Sequence, residues 1–300
     1  MKKILIPLFL ITIISSCKKQ TEDTVIKNNI EEKLSAPVPP GNYWTFRLNV
    51  PGFYGQRRLG ATCFVIDNKA YVYGGSLGNG DSKKDLWVYD PVANTFTQKA
   101  SLPASAQPSS HSVSFSINGK GYVATGSFAV GNSADASNEL WEYNPKLNSW
   151  LQKASMPTAL GRWRAVGFSI NGKGYVGTGR PFNASLLNLK DMWEYDPVTN
   201  SWLQKADMPT TGGRVDAFVF LFNNKAYIGS GAYDNSMFEF DPSVGTIGAK
   251  KQKASYPGEA NNLVAAFATN LAGFAGTGGK SNDGSFYKKD FWRYSPSTNS

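Results

Sequence analysis

Val166-Gly167-Phe168-Ser169-Ile170-Asn171-Gly172-Lys173-Gly174-Tyr175-Val176-Gly177-Thr178-Gly179 decides the fold of this chain. Two apolar-alternating runs flank Asn171-Gly172, and Asn-Gly between such runs is a strong hairpin signal because both turn residues must adopt positive φ. About 16 residues further on stands Trp193-Glu194-Tyr195-Asp196-Pro197, then Asn200-Ser201-Trp202 running to Pro209. The unit therefore reads as four short strands.

The unit recurs. The aromatic-x-aromatic-polar-Pro anchor returns as Trp87-Val88-Tyr89-Asp90-Pro91, Trp141-Glu142-Tyr143-Asn144-Pro145, Phe238-Glu239-Phe240-Asp241-Pro242 and Trp292-Arg293-Tyr294-Ser295-Pro296. Hairpin turns are expected at Asp67-Asn68, Asn118-Gly119, Asn223-Asn224 and Thr269-Asn270. A Phe stands seven residues before each second-strand aromatic, at Phe64, Phe115, Phe168, Phe220 and Phe267. The residue before each Phe is mostly small, which suits an innermost strand crowded around an axis. Four strands in a repeat of about 50 residues mean an all-β propeller.

The strand end Tyr-Val-x-Gly-Gly or Thr-Gly, followed by Asp/Glu-x-Trp-x-Tyr-Asp-Pro, resembles the Kelch repeat over residues 42–300. Only Gly74-Gly75 and Gly278-Gly279 keep the double glycine. The resemblance implies a Kelch-type β-propeller of five four-stranded blades. Asn42-Tyr43-Trp44 running to Pro51 has fourth-strand spacing, so the N-terminal strand is expected to close the last blade. The sequence breaks off within a recognisable motif at Asn299-Ser300, and a longer chain would make six blades.

Residues 1–16 have two lysines, a short apolar run and then small residues, the form of an export signal. Ile14-Ser15-Ser16-Cys17 resembles a lipobox, which implies lipidation of Cys17, a proline-rich tether over 17–41 and a propeller over 42–300. The expected address is the cell envelope, with Lys18 favouring the outer membrane. Loss of Lys2 and Lys3 lowers the formal charge from +9 to +7. Cys63, left without a partner, is expected to be a buried small apolar residue. The charge is not in runs, which argues against nucleic acid.

The loops leading into the first strands differ from blade to blade and lie on one face with the loops leaving the second strands. Thirteen residues before the second-strand aromatic stand Arg58, Ser109, Arg162, Arg214 and Asn261; eleven before it stand Gly60, His111, Arg164, Asp216 and Leu263. In Kelch proteins such positions lie near the mouth of the central channel, where arginines often contact ligands. Trp163, between two arginines, is the tryptophan outside the repeat positions. An indole stacks on a sugar while guanidinium groups hold a carboxylate. Arg58, Arg162, Trp163, Arg164, Arg214, His111 and Asn261 are thus the expected ligand contacts. Blade-to-blade salt bridges are the competing reading of the arginines, and a wedge between blades that of Trp163.

One His in 300 residues excludes multi-histidine metal sites, including the copper centre of the galactose oxidases that share this fold. No cofactor is expected. The preferred reading is a membrane-tethered binding module for an acidic sugar, anionic glycan or acidic protein segment. One alternative is a sugar-modifying enzyme similar to the Kelch-type sialic acid mutarotases, with Asp216, Glu259 or His111 as acid and base. Another is a scaffold lipoprotein in an envelope complex.

Overall fold

A computed structural model describes residues 58–300 except 78–80, 131–132, 159–160, 183–186, 211, 232–233, 259–262 and 280–287. The described residues form antiparallel meanders, each a blade. The first blade is β1 (Thr62–Ile66), β2 (Lys69–Tyr73), β3 (Leu86–Asp90) and β4 (Thr95–Lys99). The second is β5 (Val113–Ile117), β6 (Lys120–Ala124), β9 (Leu140–Asn144) and β10 (Ser149–Lys153). Between β6 and β9 the chain makes an extra hairpin, β7 (Ser127–Val130) and β8 (Ser133–Ala136), that the repeat pattern did not announce. The third blade is β11 (Val166–Ile170), β12 (Lys173–Gly177), β13 (Met192–Asp196) and β14 (Ser201–Lys205). The fourth is β15 (Phe218–Phe222), β16 (Lys225–Gly229), β17 (Met237–Asp241) and β18 (Ala249–Lys253). The fifth blade shows β19 (Ala265–Ala268), β20 (Gly273–Gly276) and β21 (Phe291–Tyr294). The segment Asn42 to Pro51, expected to complete it, lies outside the described residues, as do Cys17, the tether and the signal.

Turn chemistry sets the register. Ile170 pairs with Lys173 across Asn171-Gly172, whose φ values are 51° and 76°, the left-handed conformation that Asn and Gly tolerate. Asp67-Asn68, Asn118-Gly119 and Asn223-Asn224 also have positive φ at both positions. The fifth turn falls one residue later than expected, at Asn270-Leu271, because the Thr269 N–H reaches the Ala272 carbonyl at 2.9 Å. Neither turn residue there is left-handed among the described values. A leucine resists that conformation, and the Thr269 hydroxyl accepts from the Leu271 and Ala272 N–H groups instead.

The first strands β1, β5, β11, β15 and β19 pack side by side in that order, so they are the inner strands. Each inner Phe stacks on its own blade's second-strand aromatic, with centroids 5.2 Å apart for Phe64–Tyr71 and Phe168–Tyr175. The same Phe rings press on the next blade at a position with little or no side chain. A Cβ added at Gly121 would lie 2.1 Å from Phe64, one at Gly174 would lie 2.4 Å from Phe115, and one at Gly273 would lie 2.3 Å from Phe220. Glycine is required there by the neighbouring ring.

Fourth strands stitch blades together from outside. The Trp150 and Trp202 indoles donate to the carbonyls of Ala100 and Ala154 in the preceding blade, each at 2.7 Å. Asn148 and Asn200, two residues earlier, accept from the N–H of those same alanines at 2.9 and 3.0 Å. Such paired bonds hold adjacent blades in fixed register.

Candidate binding site at the channel mouth

The leading loops and the loops leaving second strands share a face, joined by the isolated bridges Leu59–Ser76, Ser110–Ser127 and Trp163–Arg180. On this face the positions occupied by Gly60, His111, Arg164, Asp216 and Leu263 all take left-handed φ, between 53° and 66°. Backbone bonds link them from blade to blade. The His111 N–H donates to the Gly60 carbonyl at 2.7 Å, and Arg164 to His111 and Asp216 to Arg164 at 3.1 Å each. For residues other than glycine this conformation costs about 1–2 kcal/mol. The inter-blade bonds offset that cost and fix the side chains on this face.

The expected arginine ring divides in two. Arg58, Arg162 and Arg214 point into their own blades. Arg162 is 1% exposed, and its guanidinium forks onto Asp191 at 2.7 Å from both nitrogens while also donating to the Thr178 carbonyl at 3.1 Å. Arg58 grips Asp85 at 3.1 and 2.8 Å and the Gly74 carbonyl at 2.9 Å. Arg214 is fully buried, donating to the Ser230 and Ser236 carbonyls, the Asp234 carboxylate at 2.9 Å and the Ser236 hydroxyl. Each ties a leading loop to the loop before its own third strand. These are bonds within a blade; the blade-to-blade bridge that competed with ligand contact is made by Arg164 instead, to Asp216. Burial raises the Asp191 carboxyl, but the Arg162 guanidinium outweighs it and holds the group below its usual range.

Arg164 is different. Its guanidinium lies 4.4 Å over the Trp163 ring, and Nη1 donates to Asp216 of the next blade at 2.9 Å. Its side chain remains 23% exposed. The His111 imidazole meets the Trp163 indole edge-on at 5.5 Å, and Phe182 lies 6.0 Å from the same indole. The cluster thus draws on three consecutive blades. Its donors are not all used: Trp163 Nε1 and Arg164 Nε are buried and have no partner among the described residues.

Burial, with a smaller push from Arg164, drives His111 down to about 4, so the imidazole is neutral. Burial raises the Asp216 carboxyl, opposed by its bond to Arg164. Asn261 and Glu259 lie outside the described residues. Phe182 was missed because it sits in an irregular loop with no repeat position to mark it.

Cys63 differs from expectation: it is exposed. It sits on the side of β1 facing away from the second blade, beside the exposed Val65. The inner strand is sealed only on the side where Phe64 and Ile66 point.

Repeated four-stranded meanders with glycine-seated inner aromatics and arginine-clamped loops define a Kelch-type β-propeller of five blades. The KLHDC2/KLHL20/DRC7 Kelch-repeats domain family matches residues 40–231, and the chain belongs to this family. An F-box/kelch-repeat protein of Arabidopsis thaliana is 26% identical over 190 residues, which cover 63% of this chain and 46% of that protein. Kelch-like protein 36 of Rattus norvegicus is 34% identical over 133 residues, covering 43% of this chain and 18% of the relative. The chain therefore spans less than half the length of these relatives. The solved structure of YjhT superposes with a TM-score of 0.64 at 20% identity, covering 75% of this chain and 73% of that one, a likeness of fold. As a Kelch propeller the chain is of the binding-scaffold type.

Proposed function

We propose that this propeller is a non-catalytic binding module, tethered to the envelope through lipid on Cys17, that holds an acidic ligand at its channel mouth. The ligand class is an acidic sugar, an anionic glycan or an acidic protein segment. The supporting observation is the Trp163–Arg164 pair, a stacked indole and guanidinium in which Arg164 keeps 23% side-chain exposure beside the rings of His111 and Phe182. An aromatic face packs against a sugar ring or a peptide's apolar stem, and a guanidinium holds a carboxylate through charge-assisted hydrogen bonds. The neutral His111 adds a hydrogen-bonding rim without adding charge.

Glycan-array screening followed by calorimetry on the best acidic ligand tests this reading. Arg164→Ala and Trp163→Ala are each expected to weaken binding at least tenfold, and Arg164→Lys to restore only part of it, since lysine lacks the planar fork. Unchanged affinity in both alanine variants would remove the mouth from the account. Anchorage is tested separately: Cys17→Ala is expected to move the protein from the membrane fraction to the soluble one.

A further inference from the structure

Lys250 on β18 breaks the repeat at the outer wall. Its position is that of Trp150 and Trp202, whose indoles fill slots between consecutive blades and donate to the Ala100 and Ala154 carbonyls. The strand register fixes the equivalence: Tyr143 pairs with Trp150, Tyr195 with Trp202 and Phe240 with Lys250. The indoles rest against their tyrosines at 5.0 and 5.1 Å, and the Lys250 ammonium lies 4.7 Å over Phe240. An indole has one donor to satisfy, whereas an ammonium has three. The Lys250 Nζ is buried and has no hydrogen-bond partner among the described residues.

The end of β14 supplies its charged surroundings. The Ala206 N–H donates to the Ile247 carbonyl at 2.9 Å, and Lys205 Nζ donates to the Thr246 carbonyl at 2.6 Å while pairing with Glu194 at 3.0 Å. These bonds seat the turn before β18 against the third blade. Asp207 acts on Lys250 only through space, its oxygens being engaged by Gln204 at 3.4 Å and Lys190 at 4.0 Å. Burial lowers the amine to about 8, opposed by Asp207 and assisted by the like charge of Lys205. A buried ammonium without an acceptor is costly, and the neutral amine that replaces it is a nucleophile.

We propose that Lys250 is a carbamate-forming site that takes up carbon dioxide. The lone pair of the neutral amine attacks the carbon of carbon dioxide, and a C–N bond forms as one C=O π bond passes its electrons to oxygen. The nitrogen releases one proton to solvent, which leaves a lysine N-carboxylate. Two observations select this electrophile. Nζ is covered although the residue as a whole keeps partial exposure, so the reagent must be small, and a slot walled by Phe240 admits a neutral molecule more easily than an ion. The product is an anion placed where Lys205 now opposes a cation, so the reaction turns a like-charge pair into an opposite one.

The test equilibrates the full chain with isotopically labelled bicarbonate at pH 8, where half of the amine is uncharged, and traps carbamates with triethyloxonium. Peptide mass spectrometry locates the trapped groups, with the exposed neighbour Lys251 as internal comparison. Label at Lys250 is expected about tenfold above that at Lys251, because more of the Lys250 amine is uncharged, and to rise with carbon dioxide. The Lys250→Arg chain is expected to lose it. Trinitrobenzenesulfonate, bulky and charged, is expected to modify Lys251 ahead of Lys250. Absence of label at Lys250 in the folded parent, equal label on both lysines, or faster trinitrophenylation of Lys250 would overturn the proposal. None of these outcomes depends on Arg164, so the mouth reading is tested separately.

Discussion

The third and fifth blades are copies of one unit in very different surroundings. In the third blade Phe168 is 4% exposed and packed against the fourth blade, Arg162 clamps Asp191, and Trp202 fills its slot. In the fifth blade the equivalent Phe267 is 52% exposed, Asp290 Oδ1 is buried without a partner among the described residues, and no fourth strand pairs with β21 among the described residues. The aromatic stack itself survives, at 5.1 Å between Phe267 and Phe274. A blade's internal pattern therefore builds its hairpin, whereas its burial depends on what the neighbouring unit offers.

The largest expected effect breaks the third blade from within. Arg162→Ala leaves Asp191 buried without its cation, which costs about 3–5 kcal/mol. An unfolding free energy from denaturant titration lowered by less than a third of that would mean the clamp is not structural. The next effect sharpens the contrast directly. Phe168→Ala should cost about 3–5 kcal/mol, as for other buried phenylalanines, and Phe267→Ala less than about 1 kcal/mol because half its surface is already wet. Equal losses would show that the fifth blade's forward face is sealed in solution.

A smaller effect concerns the fourth blade, where Lys250 stands at the slot tryptophan's position. Its ammonium lies 4.7 Å over the Phe240 ring, and burial lowers it to about 8. A lysine lowered on folding binds fewer protons in the native state than in the unfolded one between pH 8 and its ordinary 10.5, so its penalty is full below pH 8 and is relieved as pH rises through that window. Lys250→Met should stabilise the protein at pH 7 and show a smaller rise in stability from pH 8 to 10.5 than the parent. His111 acts with the same sign at acid pH. Its lowered value predicts stability lost as pH falls from 6.5 toward 4, and His111→Asn should flatten that slope.

The propeller was legible because its signals are local. Asn171-Gly172 dictates a turn by φ alone, and the anchor Trp193-Glu194-Tyr195-Asp196-Pro197 repeats with little change. The division of the arginines was not legible. Arg162 and Arg164 are two apart, and on an extended chain such residues share a face. Here Trp163 sits on a one-residue bridge and Arg164 takes φ 53°, which turns its side chain toward Asp216 while Arg162 goes inward. Part of the signal was present in the acid two residues before each anchor tryptophan. Asp85 and Asp191 receive both the arginine and the indole N–H of Trp87 or Trp193. The exposure of Phe267 could not be foreseen from the sequence, since Phe267 keeps the same spacing as its buried counterparts.

On the proposed function Arg164, and not its neighbour Arg162, meets the ligand. Calorimetric titration of the selected acidic ligand into Arg164→Ala, with thermal unfolding of the same sample, tests it most directly. At least tenfold weaker binding is expected from a protein still folded at the temperature of the titration, with a Tm lowered because Asp216 loses its cation. Parent-like affinity in a folded Arg164→Ala protein would contradict it.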